Sequence, residues 1–341
     1  MILLGLDWGK QRTGVAISDS SWTMASPLDV IDTHSPWNRL EKIVRDYQAE
    51  RIVMGYPLSL STGEVNREWG GFRFFEKVKP RLMLPVSWVD ETFTTHESYE
   101  RLSVEGIRFK QKREAVDKIA ASLILERFME EKRSRKNTIV AVTGNLGSGK
   151  SYVSGRMAEK CGGSLLSADT VSRRVTAPGG EGARLIEQLF GREFFTPAGE
   201  LDRKKLGEVV FTQPVMLKRL NRALHPLIRK ALLEEMEMRK GEIIFLEVPL
   251  LAENRLYYLY DFSLLTKSAA DVIIARVKER DRRSDREISH ILKQQAPPHD
   301  VENLFDCAVD TSHGWDSYKE EVDKFLNEVI SYHSEIMLKG K

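Results

Sequence analysis

The chain has 341 residues, of which 41% are hydrophobic and 30% charged, and its 52 basic side chains nearly balance 50 acidic ones for a net charge of +2. That composition belongs to a globular chain long enough for two cores, and it excludes a disordered or fibrous protein and gives no case for nucleic acid on charge alone. Two cysteines, Cys161 and Cys307, exclude a disulfide framework and a zinc cluster; no apolar run approaches the roughly 18 residues of a membrane span, and Met1–Asp7 starts as a strand without the basic opening of a signal peptide, so the cytoplasm is the expected compartment and no membrane partner is expected.

In chain order, Ile2–Leu6 reads as a short strand ending at Asp7. The turn Trp8-Gly9-Lys10-Gln11-Arg12-Thr13-Gly14 leads into a returning strand, Val15–Ser18, which makes a hairpin. Leu40–Tyr47 has helical spacing. Arg51–Met54 is a strand broken by Gly55-Tyr56-Pro57. Glu64–Val78 reads as a helix with a weak spot at Gly70-Gly71, and Val86–Val89 as a strand running into Asp90-Glu91-Thr92. Thr95–Leu102 and Lys112–Glu131 read as helices. A hairpin followed by alternating helices and strands implies an α/β fold with a mixed sheet.

The chemistry of this half lies in carboxylates. Asp7 ends the first strand, Glu91 follows a later one, and Asp117 sits on the last helix. Three acids from separate elements suit one or two divalent cations, which activate water and stabilise both oxygens in phosphodiester cleavage. Taken singly, an Asp after a strand more often caps a turn or helix. Lys10 and Arg12 beside the first acid, and Arg108, Lys110, Lys112 and Arg113 before the last helix, offer contacts to a phosphate backbone; a solvated charged face accounts for them equally well.

The segments Ile2–Gly9, Arg12–Asp19, Gly55-Tyr56-Pro57-Leu58, Asp90–Thr95 and Val116–Ala121 occur in an order that resembles the YqgF/RuvX family. These are RNase H-fold nucleases described as Holliday junction resolvases or pre-16S rRNA nucleases. The resemblance covers nearly all of residues 1–130 and implies that Asp7, Glu91 and Asp117 are catalytic, metal-binding acids using Mg2+ or Mn2+ on branched DNA or precursor rRNA. Thr92 stands where the family has Arg. The spacing Asp-x-Gly-x-x-x-x-Gly also resembles the phosphate loop of actin-like ATPases, but those need two such lobes and about 130 residues hold one. A catalytically silent interaction module is the other alternative.

Glu130–Asn137 is a charged run that reads as a helix end and short linker. The expected domains are therefore 1–133 and 138–341, with 134–137 between them.

Thr138–Thr143 is a β-branched apolar strand, Gly144-Asn145-Leu146-Gly147-Ser148-Gly149-Lys150-Ser151 follows it, and Val153–Lys160 is helical. That is a P-loop in its required strand–loop–helix setting. Backbone amides of Gly144, Gly147, Ser148, Gly149, Lys150, Ser151 and Tyr152 are placed to bind ATP at a helix N-terminus; Lys150 can reach the β- and γ-phosphates and Ser151 can ligate Mg2+. Asp169, after the strand Ser164–Leu166, faces the crevice of a parallel sheet and is the candidate base, with a helix N-cap as its bland role. Leu217–Leu224 and Leu227–Met238 read as two helices split by His225-Pro226. Ile243–Val248 and Phe262–Thr266 are strands. Ala270–Arg283 is a basic helix whose Arg276 and Arg280, with Arg282, Arg283 and Arg286, suit a lid over triphosphate. Tyr318–Tyr332 is an amphipathic tail helix.

The P-loop, Ala168-Asp169, Leu201-Asp202-Arg203, His225-Pro226-Leu227-Ile228, Val248-Pro249-Leu250-Leu251 with Glu253-Asn254, Arg276–Asp281 and Gln295 together resemble dephospho-CoA kinase across most of 138–330. The resemblance implies ATP-dependent phosphorylation of the ribose 3′-hydroxyl of dephospho-CoA, a P-loop fold with a parallel sheet and helical lid, Asp169 as base, Lys150 and Arg280 as charge stabilisers, and His225 and Arg276 on the substrate side. Ser167, Tyr152, Pro297-Pro298-His299 and Thr311-Ser312 depart from the family's usual residues. A P-loop kinase of another small molecule, such as a nucleoside, is the alternative for this half.

Overall fold

The hairpin expected at the start of the chain forms from β1 (Leu3–Trp8) and β2 (Arg12–Ser18), with Asp7 paired to Gly14. The computed structural model describes residues 1–59, 65, 66, 68–92, 112–281, 284–293 and 295–339. A third strand, β3 (Ala25–Asp32), extends the hairpin antiparallel across a bulge at Val15 and Ala16. Sequence reading misses it because Pro27 and its half-exposed residues hide the alternation of a strand. After α1 (Trp37–Tyr47), β4 (Arg51–Tyr56) runs parallel to β1 and is buried along its whole length. Then come α2 (Gly70–Leu82) and β5 (Val86–Asp90), parallel to β4. The sheet order is β3-β2-β1-β4-β5, the mixed sheet expected.

Among the described residues α2 starts at the glycines rather than bending at them. A side chain at Gly70 would overlap the Trp8 ring, so glycine lets the helix begin against that indole. The expected helix over 95–102 lies outside the described residues, as do Arg108 and Lys110 and the side chains of Lys112 and Arg113. The next helix, α3 (Lys112–Arg135), continues through the first half of the expected linker, and Lys136, at φ +55°, makes the turn into the second sheet.

That sheet begins with β6 (Thr138–Gly144), followed by α4 (Lys150–Cys161) and β7 (Ser164–Ser167). The chain then builds α5 (Ala168–Val175), α6 (Glu181–Phe190), α7 (Arg203–Thr212) and α8 (Pro214–Met238). It returns through β8 (Ile243–Glu247), β9 (Phe262–Lys267), α9 (Ala270–Asp281), α10 (Asp285–Lys293), the single turn α11 (Pro298–Val301), β10 (Cys307–Asp310) and α12 (Lys319–Lys339). The parallel order is β10-β9-β6-β8-β7, with the P-loop strand in the centre. Contacts group the chain into Met1–Leu165 with Gly241–Lys341, and Leu166–Lys240.

The sequence reads as two helices broken at His225-Pro226, but α8 is a single helix of 25 residues with Pro226 inside it. A proline interior to a helix costs about 3 kcal/mol through its missing N–H and ring clash. Here Leu217, Leu220 and Leu224 before the proline and Ile228 after it pack into one apolar cluster with Ile186, Phe194 and Leu206. Burial of that continuous face outweighs the break.

In the larger unit one hydrophobic core runs through both sheets. Leu3, Val53 and Phe128 belong to the same cluster as Val140, Phe245, Phe262 and Phe325. Within the first sheet, α3 lies close enough that a Cβ on Gly14 would collide with the backbone carbonyl of Asp117. Only glycine permits the approach that brings Asp117 over the Asp7 pair. Gly14→Ala should cost about 1–3 kcal/mol as α3 is pushed off β2. An unfolding free energy from urea titration within a few tenths of a kcal/mol of wild type would show that the approach is not tight.

Candidate active sites

β6 ends at Gly144, and the loop closes on Gly149, which caps α4 at φ +81°. Gly147 also has positive φ (+72°), and a Cβ there would press on Val277 of α9. Both positions need glycine, for conformation at one and for conformation and space at the other. Lys150 Nζ donates to the carbonyl oxygens of Gly144 (2.8 Å) and Asn145 (2.9 Å), so the ammonium lies across the mouth of its own loop. The Leu146 amide donates to Gln295 Oε1 (3.1 Å).

The loop is braced from behind by groups far away in sequence. The buried Ser148 hydroxyl shares a hydrogen bond of 2.7 Å with Thr266 of β9, and Thr266 donates to the Thr143 carbonyl. Thr311 Oγ1 donates to the Ser148 carbonyl (2.9 Å). Arg276, expected on the substrate side, reaches Thr311 through Nη2 to its carbonyl (2.6 Å) and through Nη1 to its hydroxyl (3.1 Å). In this arrangement Arg276 holds the segment after β10 against the loop. Arg280 is exposed and paired with its neighbour Asp281. Arg282 and Arg283 lie outside the described residues.

Sequence reading passes over Glu247. It ends β8, next to β6, and accepts from Ser151 Oγ (2.9 Å) at Oε2 and from Ser154 Oγ (2.6 Å) at Oε1. A carboxylate at the carboxyl edge of a strand beside the P-loop strand, bonded to the loop serine, occupies the place where P-loop enzymes hold the acid of their Mg2+ shell. The signal was present: Ile243–Leu246 is an apolar run ending in an acid, the same pattern that marked Asp7 and Asp169.

In the smaller unit, Ser167 caps α5 by accepting from the Thr170 amide, so Asp169 stands in the first turn without being the cap. Its carboxylate is exposed to solvent. Arg203 lies within electrostatic reach of Asp169 and of Arg173; burial and then the Arg173 charge lower its pKa, and Asp169 opposes them. Arg203 also donates to the Thr176 hydroxyl. His225 lies mid-way along α8.

Of the front acids, Asp7 lies at the end of β1, Glu91 just after β5, and Asp117 on α3. Burial, then the charge of Asp117, raises the Asp7 pKa to about 7. Glu91, whose amide donates to the Tyr56 carbonyl (3.0 Å), is raised well above the usual range by burial, then by Asp7 and Asp90, while Arg127 acts against the rise. A Cβ on Gly55 would collide with the Glu91 carboxylate. Arg12 Nη2 stands 2.9 Å from Asp117 Oδ2. At Thr92, where the resemblance led to an expected Arg, Arg127 of α3 donates to the carbonyls of Asp90 (3.1 Å) and Thr92 (2.8 Å). Asp7 feels the charge of Asp117, and Glu91 that of Asp7, but among the described residues no group of three is arranged to hold a metal ion as it stands. Three half-buried oxygen donors, with repulsion between Asp7 and Asp117 and between Glu91 and Asp7, nevertheless suit a hard divalent cation, which would relieve that repulsion.

A parallel sheet with a P-loop at its central strand, a lysine across the loop and an acid behind its serine define a P-loop phosphotransferase. Residues 138–316 match the family model described as dephospho-CoA kinase, and the chain belongs to that family. Residues 1–131 match the RuvX model, described as Holliday junction resolvase. A dephospho-CoA kinase of Aliivibrio fischeri is 37% identical over 158 residues, covering 46% of this chain and 87% of the relative. One of Shewanella oneidensis is 34% identical over 195 residues, covering 57% and 91%. The crystal structure of TT1252 from Thermus thermophilus aligns at 27% identity with a TM-score of 0.50, covering 57% of this chain and 97% of that one. Among the described residues no helix is long and apolar enough to cross a membrane.

The raised Asp7 pKa has a stability consequence. Its folded value of about 7 lies above the unfolded 3.8, so the folded state keeps a proton that the unfolded chain releases. Stability contributed by this group is therefore present at low pH and falls as pH rises from about 4 to about 7. Asp7→Asn should flatten that slope and, with EDTA at pH 8, stabilise the protein by on the order of 2–4 kcal/mol. Equal slopes for wild type and variant in thermal melts across this range would contradict the assignment.

Proposed function

We propose that the segment 138–341 transfers the γ-phosphate of ATP to the ribose 3′-hydroxyl of dephospho-CoA, giving CoA. The observation that carries this reading is the Lys150–Ser151–Glu247 arrangement at the end of β6 and β8, in a chain of the dephospho-CoA kinase family. The loop amides and Lys150 bind the β- and γ-phosphates, and Lys150 stabilises the moving phosphoryl group. Ser151 and Glu247 would hold Mg2+, which when bound neutralises phosphate charge. Asp169 takes the proton of the acceptor hydroxyl, a role open to it because Ser167 does the capping. Arg203 and Arg173, two cations close together, and His225 serve the acceptor, whose phosphates match that charge. Arg280 exchanges Asp281 for triphosphate when the lid closes, and Arg276 keeps the loop in register from behind.

Asp169→Asn should lower kcat on dephospho-CoA about 100- to 10,000-fold with KM for ATP little changed. Coupled-assay turnover with dephospho-CoA against a nucleoside panel tests the acceptor. Phosphorylation of a nucleoside in preference would replace dephospho-CoA with that acceptor.

For residues 1–133 the reading is a metal-dependent nuclease acting on branched DNA or precursor rRNA, with Asp7, Glu91 and Asp117 as the acids and Mg2+ or Mn2+ as the cation. The support is the electrostatic convergence of the acids on Asp7 and the match to the Holliday junction resolvase model. Lys10, in the turn after β1, and Arg12, at the start of β2, would contact backbone phosphates, and Arg12 would leave Asp117 for them once a cation arrives. Asp7→Asn should abolish cleavage of a four-way junction or precursor rRNA while leaving kinase turnover intact. Wild-type protein that binds but never cuts these substrates with either metal would make this half a binding module instead.

A further inference from the structure

Two carboxylates of the kinase half are buried at the amino ends of its strands, on the edge away from the P-loop. Asp261, 3% exposed, immediately precedes β9. It accepts from the Ile139 amide (2.9 Å) and from Lys132 Nζ (2.6 Å), and Ser87 Oγ stands 3.2 Å away. Asp306 precedes β10 and accepts from the Ser263 amide and hydroxyl (both 2.8 Å) and from Lys79, both charged side chains being less than a tenth exposed. Lys132, Ser87 and Lys79 all belong to the front half, on α3, β5 and α2. So does Arg51, 1% exposed on β4, which donates to the Asp261 carbonyl (2.8 Å) and Ser87 Oγ (2.9 Å). Its guanidinium lies 4.4 Å from the Phe262 ring centre and 4.0 Å from that of Tyr332.

A buried carboxylate without a cation is costly, and removing one partner of a buried pair is strongly destabilising. Among the described residues, every lysine or arginine side chain bonded to Asp261 or Asp306 comes from the front half. An incidental contact between two self-sufficient domains would be wetter and would leave each side's charges satisfied at home.

We propose that residues 1–135 have a structural function separate from any cleavage: they complete the kinase fold by neutralising Asp261 and Asp306, so that the two sheets open as one cooperative unit. The reason for the fusion is then a shared core. It depends neither on the front acids nor on the acceptor of the kinase.

Native-state hydrogen exchange of the full chain over a urea series tests this. The slowest amides of β1, β4 and α3 should merge with those of β6, β8 and β9 into one opening isotherm. Lys132→Met, which keeps the packing stem and removes the charge, should lower protection in both sets together by about a hundredfold or more. Adding Asp261→Asn to Lys132→Met should restore part of that protection in both sets. Separate isotherms for the two sheets in the wild-type protein would overturn the proposal, even if the variant does not fold. So would a Lys132→Met effect confined to the front half, or an unchanged loss in the double variant.

Discussion

The most consequential interaction in the larger unit is the set of bonds at Asp261. One carboxylate joins the start of β9 to the start of β6 through the Ile139 amide, and to the last turns of α3 through Lys132. The same α3 carries Asp117 near its other end, over Gly14 and the Asp7 pair. A single helix therefore has its amino-terminal part in the front acid site and its carboxyl-terminal part anchored under the kinase sheet. Its position is set from both ends, and the core that runs through both sheets fills the space between. Position at this scale matters because electrostatic repulsion between Asp7 and Asp117 is strongly distance-dependent.

The kinase site shows how a short local motif is held by distant groups. The P-loop was legible in the sequence because all of its requirements are local: a β-branched strand, glycines with positive φ at 147 and 149, and a lysine at the helix start. Its supports were not. Thr266, Thr311 and Arg276 belong to elements over a hundred residues away, and nothing in their own neighbourhoods marks them as part of the loop. Glu247 was partly legible, since an acid at the end of an apolar strand is a readable pattern; what sequence could not supply was that β8 pairs with β6.

The same contrast explains other gaps. Arg51 and Lys132 look in sequence like ordinary surface charges at a strand start and a helix end. Their burial depends on partners that lie 210 and 129 residues away. Pro226 looks like a helix terminator by local rule, and the apolar cluster that overrides the rule is tertiary. Asp7 and Glu91 stood out in the sequence because each comes at the end of an apolar strand, Asp117 lies on a helix with no such mark, and the resemblance supplied the choice of the three acids. Their present arrangement, with Arg12 on Asp117, is a matter of side-chain geometry that no spacing encodes.

The resting bonds of the P-loop carry a consequence for what it will accept. Lys150 is already donating to two carbonyls and the Leu146 amide to Gln295. An anion held by these donors would exchange with their present partners, so what it gains is a difference between two sets of hydrogen bonds. The grip of the loop on phosphate is thus set by the bonds given up, one of them to Gln295 far along the chain, as well as by those formed.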